Sequence, residues 1–344
     1  MRLAILGAVA ALTAAAQDGR TIPLVQAVPL PYDQVSFQRG EKELARYHFS
    51  PSLLRPFVYP VVGPSGRTLT RMGHPGDPDT HSHHNSVWIS LSKVNGVDFW
   101  SDRGGGHIRH RRVEHLEDGN DGALAISEAD WLDRNEKPVM RERRTVAVKL
   151  LPRDEWMLVI ALSLDAAAEP AVIDKGNFGP IGVRMNKWIG VHHGGGQIRN
   201  SDGAEGETAI FRKSARWVDY SGAVAPGVIE GLTLMDHPSN PRHPAPFHVR
   251  EDGWMGAMLA LDEPYTILPG KPLHLRYGLY VHGGRPTLDA IDEVWKKFAT
   301  EPLRKPFGPP KTERECLHGD HRLYNVPHTF SNSNECADFV RKHK

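Results

Sequence analysis

From Arg55 onward the chain alternates short apolar runs with turn residues, and the runs have the length and composition of β-strands. Phe57 to Val62, Val87 to Leu91, Ala123 to Ala129, Val139 to Leu150, Trp156 to Leu164, Ile181 to Val191, Val228 to Met235, Trp254 to Leu261 and Leu273 to Val281 are mostly rich in Val, Ile and aromatic residues. Gly, Pro, Asn or Asp bounds many of them, as strands packed in a sandwich require. Almost no helical periodicity falls between these runs, which predicts an all-β fold, a large antiparallel sandwich rather than βαβ units. Residues 17–50 read as an entry segment of modest strand content. One helix is expected near the end. Thr287 can cap Leu288 to Phe298, with acids in its first turns, lysines in its last, and Leu288, Ile291, Val294, Trp295 and Phe298 in one apolar stripe. Such a helix would cover an open edge or end of the sandwich.

The two ends of the chain read differently from this body. Arg2 precedes an uncharged run from Leu3 to Leu12 and a small-residue stretch, so residues 1–16 read as a secretory signal peptide cleaved before Gln17. The run falls short of the ~20 residues that span a bilayer, and no other segment could cross one. A periplasmic or extracellular location follows. Residues 17–300 are expected to form a single sandwich domain, and 301–344 a Pro-rich, polar, loosely ordered extension. Both cysteines, Cys316 and Cys336, fall in that extension, where an exported protein could join them. His318, His321 and His328 accompany them, but the spacing matches no standard zinc module.

Charge narrows the partner. Among 344 residues, 42 Lys and Arg face 41 Asp and Glu, a formal net charge of +1 with basic and acidic residues interspersed along most of the chain, which argues against a nucleic-acid partner. A neutral substrate such as a glycan or small sugar suits this balance. The 40% hydrophobic and 24% charged content is that of a globular chain, and 33 glycines with 27 prolines favour many turns over a helical bundle. The titratable surplus is histidine, 19 in all.

Three loops concentrate the candidate chemistry. His74 to Trp88 carries His74, His81, His83 and His84, and in an extended chain His81 and His83 share a side. Met235 to Pro244 presents Asp236, His237, Asn240, Arg242 and His243 on a backbone stiffened by three prolines. Trp188 to Gly196 sets His192 and His193 beside glycines that would let a substrate approach the backbone. Phosphate loops, the Gly-x-Ser-x-Gly elbow and the His-Glu-x-x-His helix are all missing. What is available is imidazole, carboxylate and amide, suited to proton transfer near neutral pH or to a borderline metal. A repeated string, Gly-Gly-Gly-x-Ile-Arg at Gly104 to Arg109 and Gly194 to Arg199, fits either a duplicated half or a recurring loop-to-strand transition.

Arg55-Pro56-Phe57-Val58-Tyr59-Pro60-Val61 with Gly63-Pro64, His83-His84 with Trp88, Val94 to Trp100, Trp217 to Gly222, and Asp236 to Pro244 together resemble the PmoA-like family. That family is labelled a methane oxygenase, yet a membrane-bound monooxygenase subunit needs several apolar spans, which this chain does not have. The resemblance implies exported bacterial proteins of carbohydrate breakdown and, by analogy, a galactose-mutarotase-like super-sandwich. The chain departs from the family at His84-Asn85-Ser86, where arginine is expected soon after the paired histidines.

The leading expectation is therefore an exported carbohydrate-active enzyme performing acid-base chemistry on a sugar ring, as a lyase, an epimerase or a cleaver of glycosidic bonds. His83 and His237 would be acid and base, and Asp236 base or orienter. His84, Trp88, His192, His193, Trp217, Asn240, Arg242 and His243 would bind substrate. Two alternatives stand beside it. One is an enzyme, conceivably an oxygenase, whose His81, His83 and His243 hold one divalent metal, copper, iron or zinc. The other is a non-catalytic carbohydrate-binding protein. Whether the three loops meet decides between a joint site and none.

Overall fold

The computed structural model describes residues 22–73, 81–302, 310, 312–317, 330 and 332–343; the expected signal peptide lies outside them. Two eight-stranded antiparallel sheets face each other. The first runs, in spatial order, β1 (Val25–Leu30), β2 (Gln34–Arg39), β3 (Lys42–His48), β4 (Phe57–Val61), β5 (Val87–Ile89), β11 (Pro180–Arg184), β16 (Trp254–Met258) and β15 (Phe247–Arg250). The second runs β12 (Gln197–Asn200), β13 (Trp217–Ala225), β14 (Val228–Asp236), β18 (Leu273–Gly283), β9 (Trp156–Ala166), β8 (Pro138–Leu150), β7 (Gly122–Leu132) and β6 (His107–Glu117). A small ladder pairs β10 (Ala171–Ile173) with β17 (Tyr265–Ile267). The expected all-β antiparallel sandwich is the fold.

Period-two alternation builds the core between the sheets. Along β9, Leu158, Ile160, Leu162 and Leu164 point inward to meet Val58, Val87, Val183 and Val249 of the first sheet, while Met157 and Val159 point outward. The outward row is covered by α3 (Leu288–Thr300), whose Ile291 and Phe298 pack on Met157, Val159, Trp217 and Tyr280. Thr287 caps it, its hydroxyl accepting from the Ala290 amide at 3.3 Å. The helix was expected at an edge or end; it lies instead on the outer face of the second sheet, because Met157, Val159 and Met235 offer an apolar strip there.

Two other elements depart from the sequence pattern. The run Ile181 to Val191 is a strand only to Arg184, after which the chain turns through Met185 to Gly190 into α1 (Val191–Gly194). In the C-terminal extension, expected to be loose, the described residues include α4 (Glu313–Leu317) and α5 (Ser333–Lys342). The Cys316–Cys336 disulfide joins them over a small core with Phe330 and Val340. A further short helix, α2 (Gly206–Ile210), precedes β13. Among the described residues no helix is long and apolar enough to cross a membrane.

Candidate functional site

The outer face of the first sheet carries one register row that crosses five strands. Phe57 pairs with Trp88, Trp88 with Gly182, Gly182 with Gly256, and Gly256 with His248. The two glycines leave a floor without side chains, and the neighbouring indoles lie down across it. A Cβ on Gly182 would meet the Trp88 ring at 2.6 Å, and one on Gly256 the Trp254 ring at 3.0 Å. Trp100 closes the group, its ring 5.2 Å from Trp88 and 6.2 Å from Trp254, and Phe178 and His248 extend it.

The loop into β5 forms the roof. His84 stacks on Trp88 at 5.1 Å, His81 stacks on His84 at 4.5 Å with the planes 4° apart, and His83 stands edge-on to His84 at 4.6 Å. Two arginines hold this roof. Arg184 donates to Asp252 Oδ1 at 2.7 Å and reaches His81 Nδ1 at 3.5 Å. Arg55, 2% exposed, donates through Nη1 to Asn85 Oδ1 at 2.8 Å, to the His83 carbonyl at 3.3 Å and to Asp102 Oδ1 at 3.4 Å. Burial pushes His84 well below the usual imidazole range and lowers His83 as well, with Asp102 opposing and Arg55 reinforcing the second shift. His248 falls to about 4, again by burial. These three imidazoles are neutral at pH 7.

Polar atoms without partners gather here. Among the described residues, the indole N–H groups of Trp88, Trp100 and Trp254, Nδ1 of His84, Nε and Nη2 of Arg55, and Nε of Arg184 are buried and make no hydrogen bond. Each buried unpaired donor costs about 1–3 kcal/mol, so the cluster is kept at a cost of several kcal/mol that an acceptor placed there would offset. The larger open grooves lie elsewhere. One of about 650 Å³ on the second sheet is lined by Arg111, Glu128, Asp130 and Arg143, but Arg111 and Arg143 pair with Asp130 and Glu114, and it gathers no imidazoles beyond His274.

A family profile matches residues 34–296. The chain belongs to DUF6807, a family of unknown function. That match overturns the resemblance to the PmoA-like family. The DUF6807 span contains the whole aromatic cluster and all three histidine loops, and it leaves out the disulfide-linked helices. No curated protein gives a significant match. Among solved structures, the DUF6807 chain is similar to a galactose 1-epimerase from Lactobacillus acidophilus NCFM, with a TM-score of 0.37 and 9% identity over 74% of this chain and 99% of that one. A provisional aldose 1-epimerase from Escherichia coli K12 follows, with a TM-score of 0.33 and 13% identity over 70% and 97%.

The expected joint site does not assemble in this DUF6807 member. Asp236 ends β14, and its carboxylate accepts from Asn240 Nδ2 at 2.7 Å and the Ala245 amide at 2.9 Å, with His243 Nδ1 at 2.7 Å. His237 stands edge-on to Phe298 and His243 stacks on Trp295, both on α3. Arg242 is turned away, donating to the carbonyls of Leu259, Glu263 and Pro264. This loop therefore sits with the helix on the outer side of the second sheet, across the sandwich from His83. Trp217 packs there beneath α3, its indole donating to Asp292 at 2.7 Å, so it belongs to the other face of the molecule and its polar atom is already satisfied. With His243 on that side, the set His81, His83 and His243 cannot share one metal, and no group of three or more metal-ligating side chains occurs among the described residues.

The third loop does border the first. The His192 amide donates to the Glu251 carbonyl, and its ring faces the Glu251 carboxylate at 3.3 Å, one residue from the Asp252 that holds Arg184. His193 shares the same helical turn, its ring 6.4 Å from that of His192. Sequence reasoning missed Trp100, Trp254, Phe178, His248, Arg55 and Arg184. The signal for Trp254 was its place in an apolar run, which reads equally well as core, and Trp100 and Arg55 stood only within motifs of the resemblance.

Proposed function

We propose that this protein is a carbohydrate-active enzyme that receives a sugar at the aromatic cluster of the first sheet and moves protons through His83 and His81. The observation that carries this reading is the convergence of three unpartnered indoles with three histidines over a floor of two glycines. The three indoles are buried, Trp88 at 0%, Trp254 at 3% and Trp100 at 4% exposure, so they form the base and offer unpaired N–H donors to a sugar's oxygens, while the partly exposed His81 and His83 rings meet the sugar itself. His84, buried and held neutral, acts as the packing plate between Trp88 and His81. His83 and His81, both partly exposed, are the groups that solvent and substrate reach. Asp102 and Asp252 orient the two sides of the roof. His237 and Asp236 leave this assignment, because they brace the loop beneath α3.

An exported protein suits the reading: the N-terminal sequence has the form of a signal peptide, and the disulfide fits an oxidising compartment. The test is a turnover screen over mono- and oligosaccharides with wild type, His83→Ala and His81→Ala. Loss of turnover by about 100-fold or more in both variants is expected. Unchanged turnover in both would overturn the assignment, and binding without turnover by the wild type would leave a carbohydrate-binding protein in its place.

A further inference from the structure

We infer that the sugar taken by this site carries a carboxylate, a hexuronic acid or a glycan containing one, and that Arg55 receives it. The inference rests on the proposed sugar site and deepens it. Its basis is an imbalance among the unpartnered atoms. Of the seven around the cluster, six belong to indoles and guanidiniums, which only donate; His84 Nδ1 alone can do either. Among the described residues the one acceptor-only atom in the same condition, Glu230 Oε2, is on β14 of the second sheet, and the unpaired guanidinium nitrogens outside the cluster, on Arg144, Arg199 and Arg276, are single atoms and form no fork. A neutral sugar hydroxyl brings a proton that itself needs an acceptor, whereas a carboxylate brings acceptors alone.

Arg55 gives the imbalance a geometry. Its Nη1 is engaged by Asn85, His83 and Asp102, which fixes the plane of the guanidinium. Nε and Nη2, the two nitrogens whose N–H bonds run side by side, are left unpaired and buried. That pair is the fork which binds a carboxylate through two parallel hydrogen bonds. Asp102, which meets Nη1, is 35% exposed, so solvent reaches the Nη1 side of the guanidinium, while the fork itself is covered. The sugar ring would then extend from the fork toward the indoles, with His83 at its edge.

Isothermal titration calorimetry on the full chain tests this with D-galacturonate and D-glucuronate, their methyl esters, the neutral hexoses D-galactose and D-glucose, and acetate. The expected result is that at least one hexuronate binds tenfold or more tighter than its methyl ester and its neutral hexose, and that Arg55→Lys removes the preference. The ester comparison needs no variant, so it stands even if Arg55→Lys fails to fold. Equal affinity for uronate, ester and hexose would overturn the carboxylate while leaving the sugar site. Acetate binding as tightly as the uronate would overturn it in favour of a bare anion site. No binding of any sugar, acidic or neutral, would overturn both readings.

Discussion

His84, His237 and His248 are each held below the usual imidazole range by burial, the last two at about 4. In the unfolded chain the same groups titrate near 6.5, so between about pH 6.5 and 4 the unfolded state binds more protons. Stability must therefore fall as pH falls through that window, by up to about 1.4 kcal/mol per pH unit for each histidine. Asp236 acts in the opposite sense, since burial raises it and the folded form takes up its proton first. One carboxylate offsets only part of three histidines. Thermal melts between pH 7.5 and 4.5 should show a steadily declining Tm; a flat profile would contradict the burial of these rings. Asp236 also separates bracing from chemistry. Asp236→Ala strips the acceptor from the Ala245 amide and from His243, and should cost about 2–4 kcal/mol in urea unfolding while leaving sugar affinity unchanged.

At the scale of the element, the glycine floor is the most sensitive feature. On β11, Gly182→Ala drives a methyl group into the Trp88 ring and should destabilise the protein by about 1–3 kcal/mol, as overpacking does. Gly283→Ala, at the end of β18 with nothing within 4 Å of the added atom, is the control and should change stability by less than about 0.5 kcal/mol. Thr287→Ala removes the α3 cap and should cost about 1 kcal/mol, read from the same unfolding curves. The strands were legible where apolar runs were bounded by turn residues: β7, β8, β9, β14 and β18 fall on their expected runs. Ile181 to Val191 was misread because Met185 and Ile189 stay in the core through the turn, so the apolar signal continues past the strand end that Arg184, Asn186 and Lys187 mark. The glycine strings beginning at Gly104 and Gly194 lead into β6 and β12, the two opposite edges of the second sheet. In both, an added Cβ would strike backbone, Asp98 in one and Trp188 or Ile189 in the other, so close approach at a loop-to-strand entry accounts for the repeat.

For the molecule as a whole, the site was half legible. Density of histidine pointed to the His81 to His84 loop, but the partners of that loop come from β4, β11, β15, β16 and the Asp98 to Asp102 turn, and only strand order brings these together. The proline-stiffened loop at Asp236 looked equally functional because rigidity serves a brace as well as a binding surface. The disulfide-linked helices pack on each other and lie outside the DUF6807 match. A chain ending at Pro302 should therefore keep the Tm of the sandwich within about 2 °C, a shift corresponding to roughly 1 kcal/mol at this size. The sheet orders also set a timetable for synthesis. β6 to β9 form a contiguous meander that can pair as soon as it leaves the ribosome, whereas β5 must wait for β11, and β11 for β16, nearly a hundred residues later than the meander's last strand. The aromatic cluster is thus completed late, just before β18 joins β14 to β9 in the second sheet. Chains cut short before Met258 would expose Trp88 and Trp100 without Trp254 against them, so C-terminal truncations within β16 should aggregate through this face.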